Sequence, residues 1–188
     1  MSSLGADGVS AIDSSNYSAL VNVLDQVFND SSSQQVSRAA NLTICQRLKE
    51  EMDISLQEGK TKFTDEILVD IMTSILNRIS NHTMRTSFDE SDYMVRNCLF
   101  AYHVACGEYK IGASFLAEVN MDSGAHVLST GDKADLLVKC AEAFLKDEEN
   151  DKAETMLQKV NVFMFDEQAL DPILLLRYRV VRAEVYDR

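Results

Sequence analysis

Apolar residues recur every three or four positions through most of the chain, which is the spacing of one face of an α-helix. The clearest stripe lies within residues 67–79, and its members are Ile67, Leu68, Ile71, Met72, Ile75, Leu76 and Ile79. Thr64 precedes it as a candidate N-cap, and Asp65 and Glu66 occupy the first turn, where carboxylates favour the helix dipole. No segment alternates with the period of two expected of a strand. The pattern therefore predicts an all-α fold.

Capping signals place further helix boundaries. Either Ser14 or Ser15 is suited to cap a first helix, and Ser87 with Glu90 matches a capping box. Asp171 followed by Pro172 opens the last helix, because proline is favourable at the first helical position. The pattern also predicts a second helix over about 34–52. The small polar residues 1–13 are predicted to be flexible, which leaves residues 14–188 as the helical part.

A weak internal repeat joins several of these helices. At an offset of forty, Ala101 matches Ala141, Val104 matches Phe144, Ala113 matches Ala153 and Leu116 matches Met156. Ala183 and Tyr186 repeat Ala141 and Phe144 at an offset of forty-two. The order of small and large residues from Ala141 to Val160 is typical of a tetratricopeptide-like helix hairpin with an acidic elbow at 146–151. We therefore expect a right-handed α-solenoid of stacked antiparallel helix pairs, of the tetratricopeptide or HEAT type, curved into an arm.

Composition indicates a folded protein with a strong negative charge. The 188 residues are 46% hydrophobic and 26% charged, and the net charge is −12. This charge disfavours nucleic acid and anionic membranes as general partners. The four cysteines form no Cys-x-x-Cys pair, which favours reduced core thiols in a cytosolic or nuclear protein over disulfides or a metal site.

Candidate chemistry is sparse along the chain, and neither a catalytic nor a cofactor-binding residue is predicted. His103 and Cys106 share a helical face with Cys98 nearby, but a metal site needs a further ligand, so packing is the favoured interpretation. The acidic run from Asp147 to Asp151 lacks the spacing of a calcium loop, so a solvated turn is favoured there. We expect that the protein is not an enzyme and holds no metal.

One candidate binding group stands out on the last helix. Arg177, Arg179 and Arg182 place three cations on one helix of an acidic protein. A solvent-facing set of side chains is the favoured interpretation. The alternative is a contact patch for an acidic protein partner.

Three local patterns between about Asp92 and Arg188 carry a family resemblance. The first is the segment 119–124, in which Asn120 stands where proline is usual. The second is Phe144-Leu145, an acidic turn, and Ala153-Glu154. The third lies in the sequence YRVVRAEVYDR, and its residues are Tyr178, Val180, Ala183, Val185 and Asp187. In this order and spacing they resemble the helical-repeat arm of the fourth-subunit family of the COP-nine signalosome.

The resemblance implies a non-catalytic scaffold of the complex that removes the ubiquitin-like modifier from cullins. It implies other signalosome subunits and a cullin–RING ligase as partners, with the protein in cytoplasm and nucleus. Alternatives are a proteasome-lid scaffold built the same way, a freestanding peptide-binding repeat adaptor, and an enzyme on an all-α scaffold.

The resemblance also implies a winged-helix assembly module, the PCI domain, beyond Arg188. The last helix carries an apolar stripe with neither a C-cap nor a following helix. Its members are Leu174, Leu175, Tyr178, Val181 and Val185. We therefore expect the chain to be a fragment whose last helix is partly uncovered.

Overall fold

A computed structural model describes residues 3–29, 33–59, 61–122, 127–163 and 171–187. These residues form α-helices and one short 3-10 helix (Arg85–Phe88), with no strand among them. The helices are α1 (Ser3–Asp13), α2 (Tyr17–Asn29), α3 (Gln34–Glu58), α4 (Asp65–Asn81), α5 (Asp89–Ala105), α6 (Tyr109–Ala117), α7 (Thr130–Lys146), α8 (Asn150–Asn161) and α9 (Pro172–Tyr186). The predicted all-α helical-repeat fold is confirmed, while its handedness and curvature stay predictions.

The chain divides into two compact units, and the division falls inside α5 after Leu99. In the first unit α1 packs against α2 and α3, and α3 packs against α4. Its core includes the fully buried Ile12, Leu20 and Ile44. In the second unit α7 is the central helix and packs against α6, α8 and α9. Nearly every side of α7 is therefore covered, and nine of its residues are buried.

Residues 3–13 are helical, so the prediction of a flexible N-terminus is wrong for this segment. Ile12 is fully buried, and Gly8 faces α3 so closely that a Cβ there would lie 2.5 Å from Cγ1 of Ile44. The small residues that suggested looseness instead let two helix axes approach each other. Sequence composition does not distinguish these two uses of glycine.

Three hairpins, α1–α2, α5–α6 and α7–α8, turn through one left-handed residue each. These residues are Ser15 with φ 55°, Gly107 with φ 82° and Glu148 with φ 59°. The following residue then donates its backbone N–H to the carbonyl five positions earlier: Asn16 to Ala11 at 2.8 Å, Glu108 to His103 at 2.8 Å, and Glu149 to Phe144 at 2.9 Å. This is the Schellman arrangement, which satisfies carbonyls at a helix end.

The turn also sets the register of the second helix in each hairpin. Counted from the left-handed residue, the fifth, ninth and twelfth positions are buried in all three hairpins. These positions hold Leu20, Leu24 and Val27 in the first hairpin, Gly112, Leu116 and Val119 in the second, and Ala153, Leu157 and Val160 in the third. The hairpins thus share one packing pattern despite different side chains.

This register corrects the predicted repeat by one residue. The left-handed residues of the second and third hairpins are forty-one apart, whereas the sequence match used forty. Accordingly Ala101 is exposed although Ala141 is fully buried, and Ala183 and Tyr186 of the third predicted copy are exposed too. Alanine occurs on several faces of these helices, so matching alanines alone does not fix the register.

Helix starts follow the predicted caps in part. Thr64 and Asp171 each accept a backbone N–H as predicted. A capping box is present, but it joins Ser129 and Asp132 at the start of α7. Ser87 instead accepts a hydrogen bond from the Gln34 side chain, and Asn16 rather than Ser14 or Ser15 caps α2. The second predicted helix also extends beyond 52, to Glu58.

The elbow geometry predicts opposite effects of glycine and alanine at two matched positions. Gly107→Ala adds a Cβ in the left-handed region without a steric neighbour, so we expect it to lower the free energy of unfolding by about 1 kcal/mol. Glu148→Gly relieves the same strain, and we expect it to raise this free energy by up to about 1 kcal/mol. Urea unfolding midpoints measure both, with Glu148→Ala as the control that keeps the strain. Stabilisation by Glu148→Ala equal to that by Glu148→Gly contradicts this account.

Candidate interaction surface on the last helix

The inner face of α9 attaches this helix to the rest of the second unit. Leu174, Tyr178 and Val181 are buried on it, and α9 packs against α7 and α8. The Tyr178 hydroxyl also hydrogen-bonds the side chain of Asn161 at the end of α8. Three residues of the stripe that we expected to be uncovered therefore belong to the core of this unit.

Arg177 fastens α9 to α7 through two carboxylates. Its guanidinium donates to both carboxylate oxygens of Glu142, at 2.9 and 2.6 Å, and to Asp135 at 2.7 Å. These hydrogen bonds, with that to Glu142 having the largest effect, raise the pKa of Arg177 above its usual range. The contact with Glu142 is bidentate, and bidentate contacts between arginine and a carboxylate are strong and directional. The charge of Arg177 is thus compensated within the unit.

Arg179 and Arg182 are the exposed members of the predicted cationic group. Arg182 donates to the Tyr178 hydroxyl at 3.4 Å, and its guanidinium carbon lies 5.8 Å from the centre of the Tyr186 ring. Residues three and four apart share one side of a helix, so Arg179, Arg182 and Tyr186 are neighbours on the surface of α9. Their contact with an acidic partner stays a prediction.

A second apolar stripe on α9 faces away from the core, and the sequence analysis missed it. We call Ile173, Leu176, Val180 and Ala183 the outer stripe. Its three large side chains are 67%, 63% and 49% exposed. A cavity of about 390 Å³ lies beside it between α7 and α9, and Leu145 and Val180 contribute to its lining. The sequence did contain a signal for this stripe, because α9 has apolar residues on two opposite faces. A helix that packs against its neighbours on one side needs only one apolar face.

His103 packs at an elbow rather than in a metal cluster. Its Nδ1 lies 2.7 Å from Oε2 of Glu108, and its ring stacks on Phe115 at 5.5 Å. Cys106 is exposed on the elbow. In the described ranges no three His, Cys, Asp or Glu side chains are grouped to hold a metal ion.

The acidic residues of the turn between α7 and α8 contact the start of α6, directly after the turn between α5 and α6. Asp147 accepts the backbone N–H of Lys110, and Glu149 forms an ion pair with the ammonium group of Lys110. Lys146 lies 4.6 Å above the ring of Tyr109. The predicted solvated turn is therefore also a link between two successive hairpins.

The first unit holds a compact ion-pair network among α1, α3 and the segment before α4. Arg47 donates to Asp13 at 2.9 Å and to Glu51, which is 2% exposed. Lys62 adds a contact to Asp13 at 2.7 Å. Hydrogen bonds from Lys62 and then Arg47 lower the pKa of Asp13. Each charge has a partner on another segment, so this network joins elements of the fold.

A cavity of about 470 Å³ lies elsewhere in the first unit, among aromatic and amide side chains. The Phe88 ring lies 5.1 Å from that of Phe28 and 5.2 Å from that of His82, and Gln34 and Asn81 contribute amides. Such walls offer stacking and hydrogen bonds, which suit binding rather than nucleophilic chemistry.

Three of the four cysteines match the predicted buried thiols. Burial raises the pKa of Cys45 and Cys140 to about 12 and that of Cys98 to about 11. Cys106 differs because it is exposed.

Among the helices in the described ranges, none combines the length and apolar character needed to cross a bilayer.

Comparison with known proteins finds similarity to a curated protein, and no family model matches the chain. The chain is 27% identical over 187 residues to COP9 signalosome complex subunit 4 of Neurospora crassa. The match covers 95% of this chain and 41% of the relative. It therefore includes the N-terminal half, where the sequence patterns showed no resemblance, and this chain spans less than half the length of the relative.

The geometry at Arg177 predicts graded losses of stability. Arg177→Met leaves Glu142 without its ion-pair partner and Asp135 with Lys139 alone, and we expect the free energy of unfolding to fall by about 1–3 kcal/mol. Arg177→Lys keeps the charge but not the bidentate contact, so the fall in the free energy of unfolding should be smaller than for Arg177→Met. Urea unfolding of these variants, alone and combined with Glu142→Gln, measures the coupling between the two side chains. Additive effects of Arg177→Met and Glu142→Gln would contradict the contact.

The cysteine environments predict selective alkylation of the native protein. Iodoacetamide at about pH 8 reacts with accessible thiolate, so we expect Cys106 to react far faster than the three buried thiols. Mass spectrometry should show one adduct on the native chain and four after unfolding. Cys106→Ser is the control and should remove the fast adduct. Rapid native labelling of Cys45, Cys98 or Cys140 would show that these thiols are not enclosed.

Proposed function

We propose that this chain is the helical-repeat region of a non-catalytic scaffold protein related to subunit 4 of the COP9 signalosome. The similarity to the Neurospora crassa subunit across 95% of the chain carries this proposal. The all-α hairpin architecture supports it, because hairpins of this kind expose helix surfaces to solvent. Repeat proteins commonly use such surfaces for binding.

The arrangement of the second unit suits a scaffold in physical terms. Helix α7 is covered by three other helices, and the Arg177 contacts and the linked elbows fix its neighbours. A unit held in this way presents exposed side chains from fixed positions, which reduces the entropy lost on association.

We further propose that the protein assembles with other signalosome subunits and lies in the cytoplasm and nucleus. Within that complex its helical region would contact the cullin–RING ligase from which the complex removes the ubiquitin-like modifier. A winged-helix PCI module would lie in another part of a longer polypeptide. The length of the relative supports this last point, since 59% of it lies outside the match.

Affinity purification of the tagged full-length protein from its source organism tests the proposal. We expect signalosome subunits to co-purify in near-equal amounts and to co-elute in size-exclusion chromatography. A tagged, unrelated acidic protein of similar size is the control for non-specific capture. Co-purification of proteasome-lid subunits would assign the chain to the other scaffold family. A monomer without stable companions would favour a freestanding adaptor and overturn the proposal.

A further inference from the structure

We propose that the cavity of about 470 Å³ in the first unit, here called the aromatic cavity, binds a small uncharged ligand that combines an aromatic ring with an amide group. This inference goes beyond the proposed function, because it concerns a free small molecule and not assembly with other proteins. It rests on three features of the cavity: aromatic rings fixed in its wall, hydrogen-bonding groups of both kinds at its rim, and a lining without acidic, lysine or arginine side chains.

The aromatic rings form a wall that is already in place. Phe88 is 1% exposed and Phe28 is 9% exposed, so both belong to the core as well as to the cavity. The ring of His82 meets both edge to face, with ring centres 6.2 Å from Phe28 and 5.2 Å from Phe88. Aromatic rings favour this arrangement. A ligand ring therefore meets an apolar surface that needs little rearrangement, which reduces the cost of binding.

The size and position of the cavity suit a small molecule. The end of α2, the start of α3, the end of α4 and the 3-10 helix converge on it, and their contributions include Asn29, Gln34, Asn81 and Phe88. Its volume is within the range of roughly 300–1,000 Å³ that is typical of small-molecule sites. Met84 lies in the lining and is exposed, and methionine adapts its shape to different ligands.

The rim of the cavity offers both acceptors and a donor. The Gln34 amide N–H donates to the Ser87 hydroxyl, which leaves the carbonyl oxygen of Gln34 as an acceptor. The Asn81 side chain similarly donates to a backbone carbonyl one turn earlier, at 2.9 Å. Nδ1 of His82 accepts the backbone N–H of Met84 at 3.1 Å, so Nε2 of the neutral ring carries the proton and can donate. An amide complements this set, because it has both an N–H and a carbonyl group.

The lining favours an uncharged ligand. Asp, Glu, Lys and Arg make up 26% of the chain, yet none of them is among the described residues that line the aromatic cavity. Arg78 lines an adjoining cavity of about 410 Å³, where its guanidinium pairs with Asp25. Moving a charged group out of water without a partner of opposite charge is costly. A neutral amide should therefore bind better than a carboxylate of the same shape.

The rim also distinguishes a free amide from an aromatic side chain of another protein. The side chains of Phe, Tyr and Trp carry at most one N–H or O–H group. Such a side chain would leave at least one carbonyl oxygen of Gln34 and Asn81 without a donor once water is excluded, and a buried oxygen without a donor is unfavourable. A primary amide has two N–H groups and can satisfy both oxygens.

Saturation-transfer NMR on the full-length protein tests the proposal with benzamide as the probe. Two compounds of similar shape separate its features: benzoate has a charge in place of the amide, and cyclohexanecarboxamide keeps the amide but lacks the aromatic ring. We expect the dissociation constant of each to be at least about tenfold higher than that of benzamide. Indole and p-cresol, which represent aromatic side chains of proteins, should also bind more weakly than benzamide.

A matched pair of substitutions locates the binding. Met84→Glu places a carboxylate in the lining and should raise the dissociation constant of benzamide by about tenfold. Thr86→Glu is the control, because Thr86 is also exposed but does not line the cavity, and it should leave the dissociation constant unchanged. Circular dichroism checks that both variants are folded.

Several results would contradict the proposal. Absence of benzamide binding, equal binding of benzoate, or benzamide binding that is unaffected by Met84→Glu overturns it. Binding of indole or p-cresol at least as tight as that of benzamide would identify an aromatic side chain of a partner protein as the occupant, and this result also overturns the proposal.

Discussion

The architecture depends on ending a helix and reversing the chain within three residues. The last carbonyls of the first helix need hydrogen-bond donors, and the backbone must enter the left-handed region to supply them. Ser15, Gly107 and Glu148 all adopt that conformation, although only one of them is glycine. Because the turn is the same in each hairpin, it places the second helix at the same rotation, and the same three positions become buried.

The second and third hairpins are also joined to each other, at their elbows as well as along their helices. Lys110 reaches Asp147 and Glu149, and Lys146 lies over Tyr109, so charges of one elbow neutralise those of the next. Each exposed ion pair contributes little alone. Together with the apolar contacts of α7, they restrict how the second and third hairpins pack, which gives a surface of fixed geometry.

The last helix has a buried inner face and an exposed outer face. Its inner face and Arg177 are committed to the unit, whereas its outer stripe with Arg179 and Arg182 remains exposed. The three arginines of α9 therefore differ in their surroundings: Arg177 is held by carboxylates of α7, whereas Arg179 and Arg182 lie on the exposed side.

Local patterns in the sequence predict most of the helices, the caps at Thr64 and Asp171, and the hairpin with Ala153 in its packed interior, because periodicity and capping depend on residues close together in the chain. The close contact at Gly8 is not predictable in this way, since the Ile44 side chain that a Cβ there would meet belongs to a distant segment. The same holds for the orientation of Arg177 toward α7. Its carboxylates lie thirty-five and forty-two residues earlier in the chain, and helical spacing within α9 contains no information about them.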